Sequence, residues 1–249
     1  MKIEEKIKNN FLYSKNLNLF KLLYFFFQYV KSKLYPRIIY SNWGADMIVL
    51  NIFKKKKDGF YIDVGCHHPF INNNTYILHK KGWRGINVDL DYNSIDMFNF
   101  FRPKDNNIKM ALSDKKDKAN LYFFHNRAAK NTISKKNSKG AKLIKRIQTN
   151  TLDNIIKESD LKINEIDFLS IDVEGNELKV LKGLNFKKYK PTVVMIEFIN
   201  PKSKEFYNNN ISQITNSEIY KFMIRKKYKF VNWVQDDLVF IKNNTKSIK

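Results

Sequence analysis

The spacing of apolar positions changes period along the chain. Residues 17–30, LNLFKLLYFFFQYV, form the most apolar stretch. Lys21 and Gln28 interrupt it. It is shorter than the roughly 20 residues that a membrane-spanning helix needs. Beyond Pro36, Trp43, Met47, Leu50 and Phe53 recur at helical spacing over 43–53. Short apolar runs at 60–64, 85–90, 107–112, 166–171 and 192–198 read as buried strands. Helices are expected between them: 74–81 closed at Gly82, 93–100, a helix capped by Asn150 or Thr151 and running to Ser159, 175–181 closed at Gly183, and 214–226. Residues 228–234 and 237–242 read as a hairpin through Gln235 and Asp236, and 119–124 as an extra strand. From His125 to Gln148 the chain is polar, lysine-rich and without a firm period, as in an inserted loop or lid. Strands alternating with helices predict an α/β fold, a mainly parallel sheet covered on both faces, with the terminal hairpin bringing an antiparallel strand.

Such sheets bind ligands beyond the carboxyl ends of their strands, where the strand order reverses. The residues there are Asp63, Asp89, Ser113, Asp172 and Glu197. Asp89 ends the second strand, the position expected to read ribose hydroxyls. Gly65 lets the backbone approach a ligand closely. The turn reads GCHHPF, with one glycine and then Pro69, rather than the G-x-G-x-x-G of pyrophosphate sites. A cofactor with a ribose and a charged amino-acid tail but no phosphates, such as S-adenosylmethionine, fits better.

Composition adjusts this picture in a few places. The 249 residues suit one domain with a short extension, divided here as a helical extension over 1–40 and a catalytic domain over 41–249. Cys66 is the single cysteine, so an intrachain disulfide and a cysteine-rich zinc site are excluded. The formal charge is +22. Arginine occurs at only 37, 84, 102, 127, 146 and 225, so lysine supplies nearly all of it. Sites that grip phosphate by geometry favour arginine, so this charge gives little support to a nucleic-acid partner. Lys15, Lys31 and Lys33 flank the apolar segment. Residues 17–33 therefore suit an interfacial anchor or a helix packed on the domain, and both readings stay open.

The chain resembles the FkbM-type methyltransferases, a branch of the class I S-adenosylmethionine-dependent enzymes. The resemblance runs from about Ser41 to about Phe198. It rests on FYIDVGCHHP (60–69), NNT (73–75), GWRGINVD (82–89), RP (102–103), ALSD (111–114), TLDNII (151–156), IDFLSIDVEGNELKVLKG (166–183) and KPTVVMIEF (190–198). Asn73 stands where the family has serine and Cys66 where it usually has alanine; the HHP turn resembles a subgroup of glycan-modifying enzymes. The resemblance implies a Rossmann-like class I fold with a seven-stranded, mainly parallel sheet. It implies cofactor contacts at Asp63, Gly65, Asp89 and Ser113, with Asn74 and Thr75 toward the methionine end. Asp172, Glu174 and Gly175 form a DVEG turn beside the transferred methyl, and Glu197 borders the same pocket.

A sugar hydroxyl is a weak nucleophile and gains from a base. The candidates are His68, Asp172, Glu174 and Glu197, with His68 first because imidazole titrates near neutral pH. Its alternative role is to cap its own turn. No ligand spacing calls for a metal, and none is assigned. The implied acceptor is a sugar or glycan precursor of capsule or lipopolysaccharide type, and the 130–146 lysines would attract an acidic one. The expected location is the cytoplasm, at the inner membrane face if 17–33 anchors. Two competing readings are a nucleic-acid methyltransferase and a membrane-surface interaction protein with a degenerate domain. The absence of N-P-P-Y or D-P-P-Y counts against the first, and the intact acids at 63, 89, 172 and 174 against the second.

Overall fold

A computed structural model describes residues 19–34, 39–125, 129–159, 161, 163, 165–198 and 210–243. Lys15, Pro36, Arg37 and Arg127 lie outside the described residues. In chain order the helices are α1 (Leu19–Leu34), α2 (Ala45–Ile52), α3 (Tyr76–Lys80), α4 (Tyr92–Phe101), α5 (Leu152–Glu158), α6 (Glu177–Lys182), α7 (Ile211–Thr215) and α8 (Glu218–Arg225). The strands are β1 (Phe60–Val64), β2 (Arg84–Asp89), β3 (Asn106–Lys109), β4 (Ala111–Leu112), β5 (Asp117–Phe123), β6 (Leu143–Asn150), β7 (Phe168–Ile171), β8 (Val193–Glu197), β9 (Tyr228–Val234) and β10 (Asp237–Lys242).

The main sheet has seven strands in the order β3-β2-β1-β7-β8-β10-β9. All neighbours from β3 to β8 run parallel, and β10 is antiparallel to both β8 and β9. This is the class I methyltransferase arrangement implied by the resemblance. The order reverses between β1 and β7, so the switch point lies beyond Val64 and Ile171.

Strand parity sorts the side chains. Ile62, Val64, Ile86, Val88, Leu169 and Ile171 bury against α5, α6 and α8. Tyr61 and Phe168 face the other way, onto α2, α3 and Trp83. Asp63 has the parity of Tyr61 and lies level with Asn87 and Ser170 on the neighbouring strands. Its carboxylate therefore points to the α2–α3 side of the sheet, behind the strand end.

Three segments depart from the sequence reading. Residues 107–112 form two strands, β3 and β4, because the chain leaves the main sheet at Met110. Residues 143–150, expected to be largely loop, are strand β6. It pairs antiparallel with β5 and parallel with β4 in a second, three-stranded sheet. Most of β6 is exposed on both faces, so it has no apolar alternation to reveal it. The expected helix over 214–226 is two helices, α7 and α8, with Ser217 capping the second through the Tyr220 N–H.

Helix α1 packs on the domain by one face. Phe25 is buried against Phe100 and Phe101, with ring centroids at 5.7 and 6.1 Å, and Lys21 pairs with Asp96. Among the described residues no helix is long and apolar enough to cross a membrane.

Close strand approach gives a stability test. A Cβ on Gly85 would stand 2.1 Å from the Tyr61 carbonyl oxygen and 2.4 Å from its ring. Gly85→Ala is expected to cost at least about 1–3 kcal/mol, the usual overpacking penalty, read as a lowered thermal midpoint. An unchanged midpoint would show that β1 and β2 separate freely there.

Candidate active site

The carboxyl ends of β1, β2 and β7 frame a cleft of about 220 Å³. One wall is apolar, made by Val88, Leu90, Met110, Ala111, Leu112 and Ile133. Gly65 forms the floor at φ +82°, where a Cβ would lie 1.6 Å from the Asp172 carbonyl oxygen. His67 follows at φ +48°, and its backbone N–H donates to Asp89 Oδ2 at 2.8 Å. The Asp91 N–H donates to Asp89 Oδ1 at 2.8 Å. A carboxylate has about four acceptor sites, so Asp89 keeps capacity for two more donors. Burial raises its pKa to about 7, against those two backbone donors.

The opposite end is acidic. Asp172, Glu174 and Glu197 each bring an oxygen into one group, all within 4.8 Å of one another. Asp172 opens to the cleft, while Glu174 and Glu197 are half-buried. Desolvation, then neighbouring carboxylates, raise Asp172 and Glu174 to about 7. The same causes hold Glu197 well above the usual carboxylate range. Asp237 sits level with Glu197 on β10, and burial with Asp236 nearby raises it to about 7. Like charges this close cannot all ionise near neutral pH, so the group shares protons.

The DVEG turn that carries two of these acids is held from below and from the side. Glu177 Oε1 accepts the N–H groups of Val173 and Gly175 at 3.2 and 2.7 Å. Thr132 Oγ1 and Asn137 Nδ2 both donate to the Glu174 carbonyl at 2.8 Å. Glu174 itself adopts φ +57°. The segment read as a lid thus reaches the site, and Asn131 and Ile133 line the cleft.

Of the residues singled out from sequence, Gly65, Asp89, Asp172, Glu174 and Glu197 meet at the cleft. Asp63, His68, Asn74, Thr75 and Ser113 lie outside that lining. Asp63 accepts Thr75 Oγ1 at 2.8 Å and Asn73 Nδ2 at 3.1 Å behind the strand end. Asn74 Nδ2 donates to Ser170 Oγ at 3.2 Å. Ser113 turns its hydroxyl to Asp114 and gives its N–H to the Asn150 carbonyl. His68 is buried, and its Nδ1 accepts the N–H groups of Phe70 and Ile71 at 3.1 and 3.2 Å. That is a turn cap, the alternative role expected for this imidazole.

Arg102 was missed as a functional residue, though it lies in the RP motif. It is buried, and it donates to the Pro69 carbonyl, Asn73 Oδ1 (2.9 Å) and Thr75 Oγ1 (3.0 Å). It ties the HHP turn to the Asp63 network. No local pattern signals this role, because its partners lie about thirty residues away in sequence.

The cleft suits S-adenosylmethionine. The apolar wall matches a flat base, Asp89 keeps acceptor capacity for ribose hydroxyls, and the acids favour a sulfonium and an ammonium. Asp89, Asp172 and Glu174 on the same lining would repel a pyrophosphate. A Rossmann-like sheet with this site at its switch point defines a class I methyltransferase. Residues 63–230 match the methyltransferase FkbM domain, and the chain belongs to that family of S-adenosylmethionine-dependent enzymes. No curated protein matches the sequence. Among solved structures, similar chains include a TehB-like SAM-dependent methyltransferase from Corynebacterium glutamicum, at 13% identity and a TM-score of 0.41, covering 90% of this chain and 98% of that one. Another is an O-methyltransferase from Bacillus cereus in complex with SAH, at 12% identity and a TM-score of 0.39, covering 97% and 98% respectively.

Two outcomes follow from this geometry. Asp89→Ala should weaken cofactor binding by about tenfold or more in calorimetric titration, the loss expected when charge-assisted hydrogen bonds go. Ser113→Ala should leave it nearly unchanged; equal losses would put Ser113 in the cleft. The second outcome concerns pH. Asp172 and Glu174 have ordinary values of 3.8 and 4.5 and folded values of about 7. Through that window the folded protein holds protons that the unfolded chain has released. Stability therefore falls from about pH 4 to about pH 7, and these two groups add no further loss above it. Glu174→Gln should raise the melting temperature at pH 8 and not at pH 4. A rise of equal size at both values would place the effect in packing.

Proposed function

We propose that the protein methylates a hydroxyl of a sugar or glycan precursor. A second cavity of about 540 Å³ adjoins the cleft, and Glu197 lines both. Its lining is rich in amides and hydroxyls, including Asn137, Ser212, Gln213 and Asn216. That supply of short-range donors and acceptors suits a polyhydroxylated acceptor better than a flat aromatic one. The observation that carries the reading is Glu197, which lines both cavities and whose carboxyl group is hydrogen-bonded with Asp172.

The bound cofactor supplies a methyl group on a sulfonium, already activated for displacement. The chain has to hold the hydroxyl in line and take its proton. Asp172, open to the cleft, is the proton acceptor in this reading. Glu197, held well above the usual carboxylate range by burial and by Asp172 and Glu174, is the weaker acid of the pair and the less ready to add a second full negative charge. Glu174 shares the load from the same turn. The apolar wall and the Gly65–Asp172 contact exclude water from one side.

The test is transfer of labelled methyl to a panel of free, nucleotide-linked and lipid-linked sugars, with DNA and RNA in parallel. Label in a base-stable ether on a sugar is the expected result. Label on nucleic acid, or a base-labile ester, overturns the proposal. kcat should rise about tenfold per pH unit below about 7 and level above it, following Asp172 and Glu174. Asp172→Asn should lower kcat at saturating cofactor by about 10²–10⁴, the range for a lost base, beyond any weakening of cofactor binding that the lost charge causes. His68→Gln should keep kcat within the same order. Chelator should leave the rate unchanged. Loss with chelator and recovery with magnesium would give the three carboxylates to a cation instead.

A further inference from the structure

We propose that the outer face of α1 seats the protein on an anionic lipid surface. The helix has two faces of opposite fate. Lys21, Phe25 and Gln28 turn inward and are buried against the domain. Leu19, Leu23, Phe26, Phe27 and Leu34 turn outward, and each is between 54 and 72% exposed. Their spacing of four, three, one and seven residues keeps them on one stripe of an α-helix. Exposed Lys33 borders the stripe at its C-terminal end, while Lys21 lies on the buried side, paired with Asp96.

Scattered exposed apolar residues are ordinary, but an aligned row of five on one helix marks a docking face. Its charge selects the occupant. The segment LFKLLYFFFQYVKSKL contains no acid, and Lys31 and Lys33 lie exposed in its last turn. Leucines and phenylalanines on one face with lysines at the end form the pattern of a helix lying in the membrane interface. A second copy brings no acidic residue on this helix to meet Lys31 and Lys33, whereas an anionic surface does.

The helix end also frames a place for a headgroup. A cavity of about 520 Å³ is lined by Lys31, Lys33 and Lys80 together with Tyr40 and Tyr76. Lys80 Nζ donates to Tyr40 Oη at 2.8 Å, which sets that ammonium in place. A lipid phosphate there would meet three ammonium groups beside two phenol rings. Asn72 lines both this cavity and the cofactor cleft. The proposed lipid surface and the catalytic site are therefore neighbours, an arrangement that suits a substrate held at a membrane. The docking itself does not depend on the glycan reading above.

The experiment is vesicle flotation of the full chain. Vesicles of phosphatidylglycerol and phosphatidylcholine in equal parts should carry the protein up the gradient. Vesicles of phosphatidylcholine alone should carry at least about tenfold less, because the lysines then lack their partner. Phe26→Ser with Phe27→Ser should abolish flotation, with cofactor affinity and melting temperature kept. Lys31→Ser with Lys33→Ser should weaken flotation on the anionic vesicles and lower its salt sensitivity. No flotation of the unmodified protein overturns the proposal, as does equal flotation on both vesicle types. A lipid-free dimer that the paired phenylalanine exchange dissolves would assign the stripe to a second copy and also overturn it.

Discussion

A Cβ at position 65 would stand 1.6 Å from the Asp172 carbonyl oxygen, and that contact governs the architecture of the site. The turns leaving β1 and β7 touch at the point where the strand order reverses. Because they touch, the cleft has a floor, and Asp89 on one side faces Asp172 and Glu174 on the other. Only glycine permits both the separation and the φ of +82°. The turn beyond it has no further glycine to relax. It is fixed instead by backbone donors to Asp89 and to His68 Nδ1, and by Arg102 from behind. Two of the five non-glycine residues with positive φ among the described residues, His67 at φ +48° and Glu174 at φ +57°, sit within the two touching turns.

The same contact shapes the electrostatics. It draws Asp172 toward a strand edge already occupied by Glu174, Glu197 and Asp237. Their mutual repulsion and desolvation are unfavourable for folding above neutral pH, and the fold tolerates them because the Glu177 carboxylate and the Asn137 and Thr132 side chains over-determine the turn. A cationic cofactor held there would relieve that repulsion, so the acidic cluster favours positive charge over phosphate.

How much of this the sequence discloses depends on the range of the interactions. The terminal hairpin was read with its strand limits unchanged, 228–234 and 237–242, because each strand carries its own local pattern. The parallel strands were legible for a similar reason, being short apolar runs buried on both faces. Strand β6 was not, since its pairing with β5 replaces any apolar alternation of its own. At the site, Asp89 and the DVEG acids were legible because they follow strand ends. Asp63 also follows from the strand-end pattern, but the side of the sheet its carboxylate takes, toward Thr75 and Asn73, depends on parity within β1 and leaves no trace in composition. His68 looked like a base by chemistry, and its two backbone partners at 70 and 71 make it a cap. Arg102 was the hardest to read, because what it does is specified by contacts made only after folding.

The net charge of +22 and the acidic cleft now belong to one argument. A field spread over lysines acts at long range, falls within a Debye length of roughly 8–10 Å in salt, and draws in anionic partners without regard to geometry. The carboxylates act at contact distance in a partly dry pocket, where their effect on a cation is much stronger per charge. An anionic acceptor would be attracted by the first field and repelled by the second if it entered the cofactor cleft. Under the proposed reading such an acceptor would stay at the border, where Glu197 lines both the acidic cleft and the amide- and hydroxyl-lined cavity. The basic surface would then draw an anionic acceptor in, while the acidic pocket favours the cationic methyl donor.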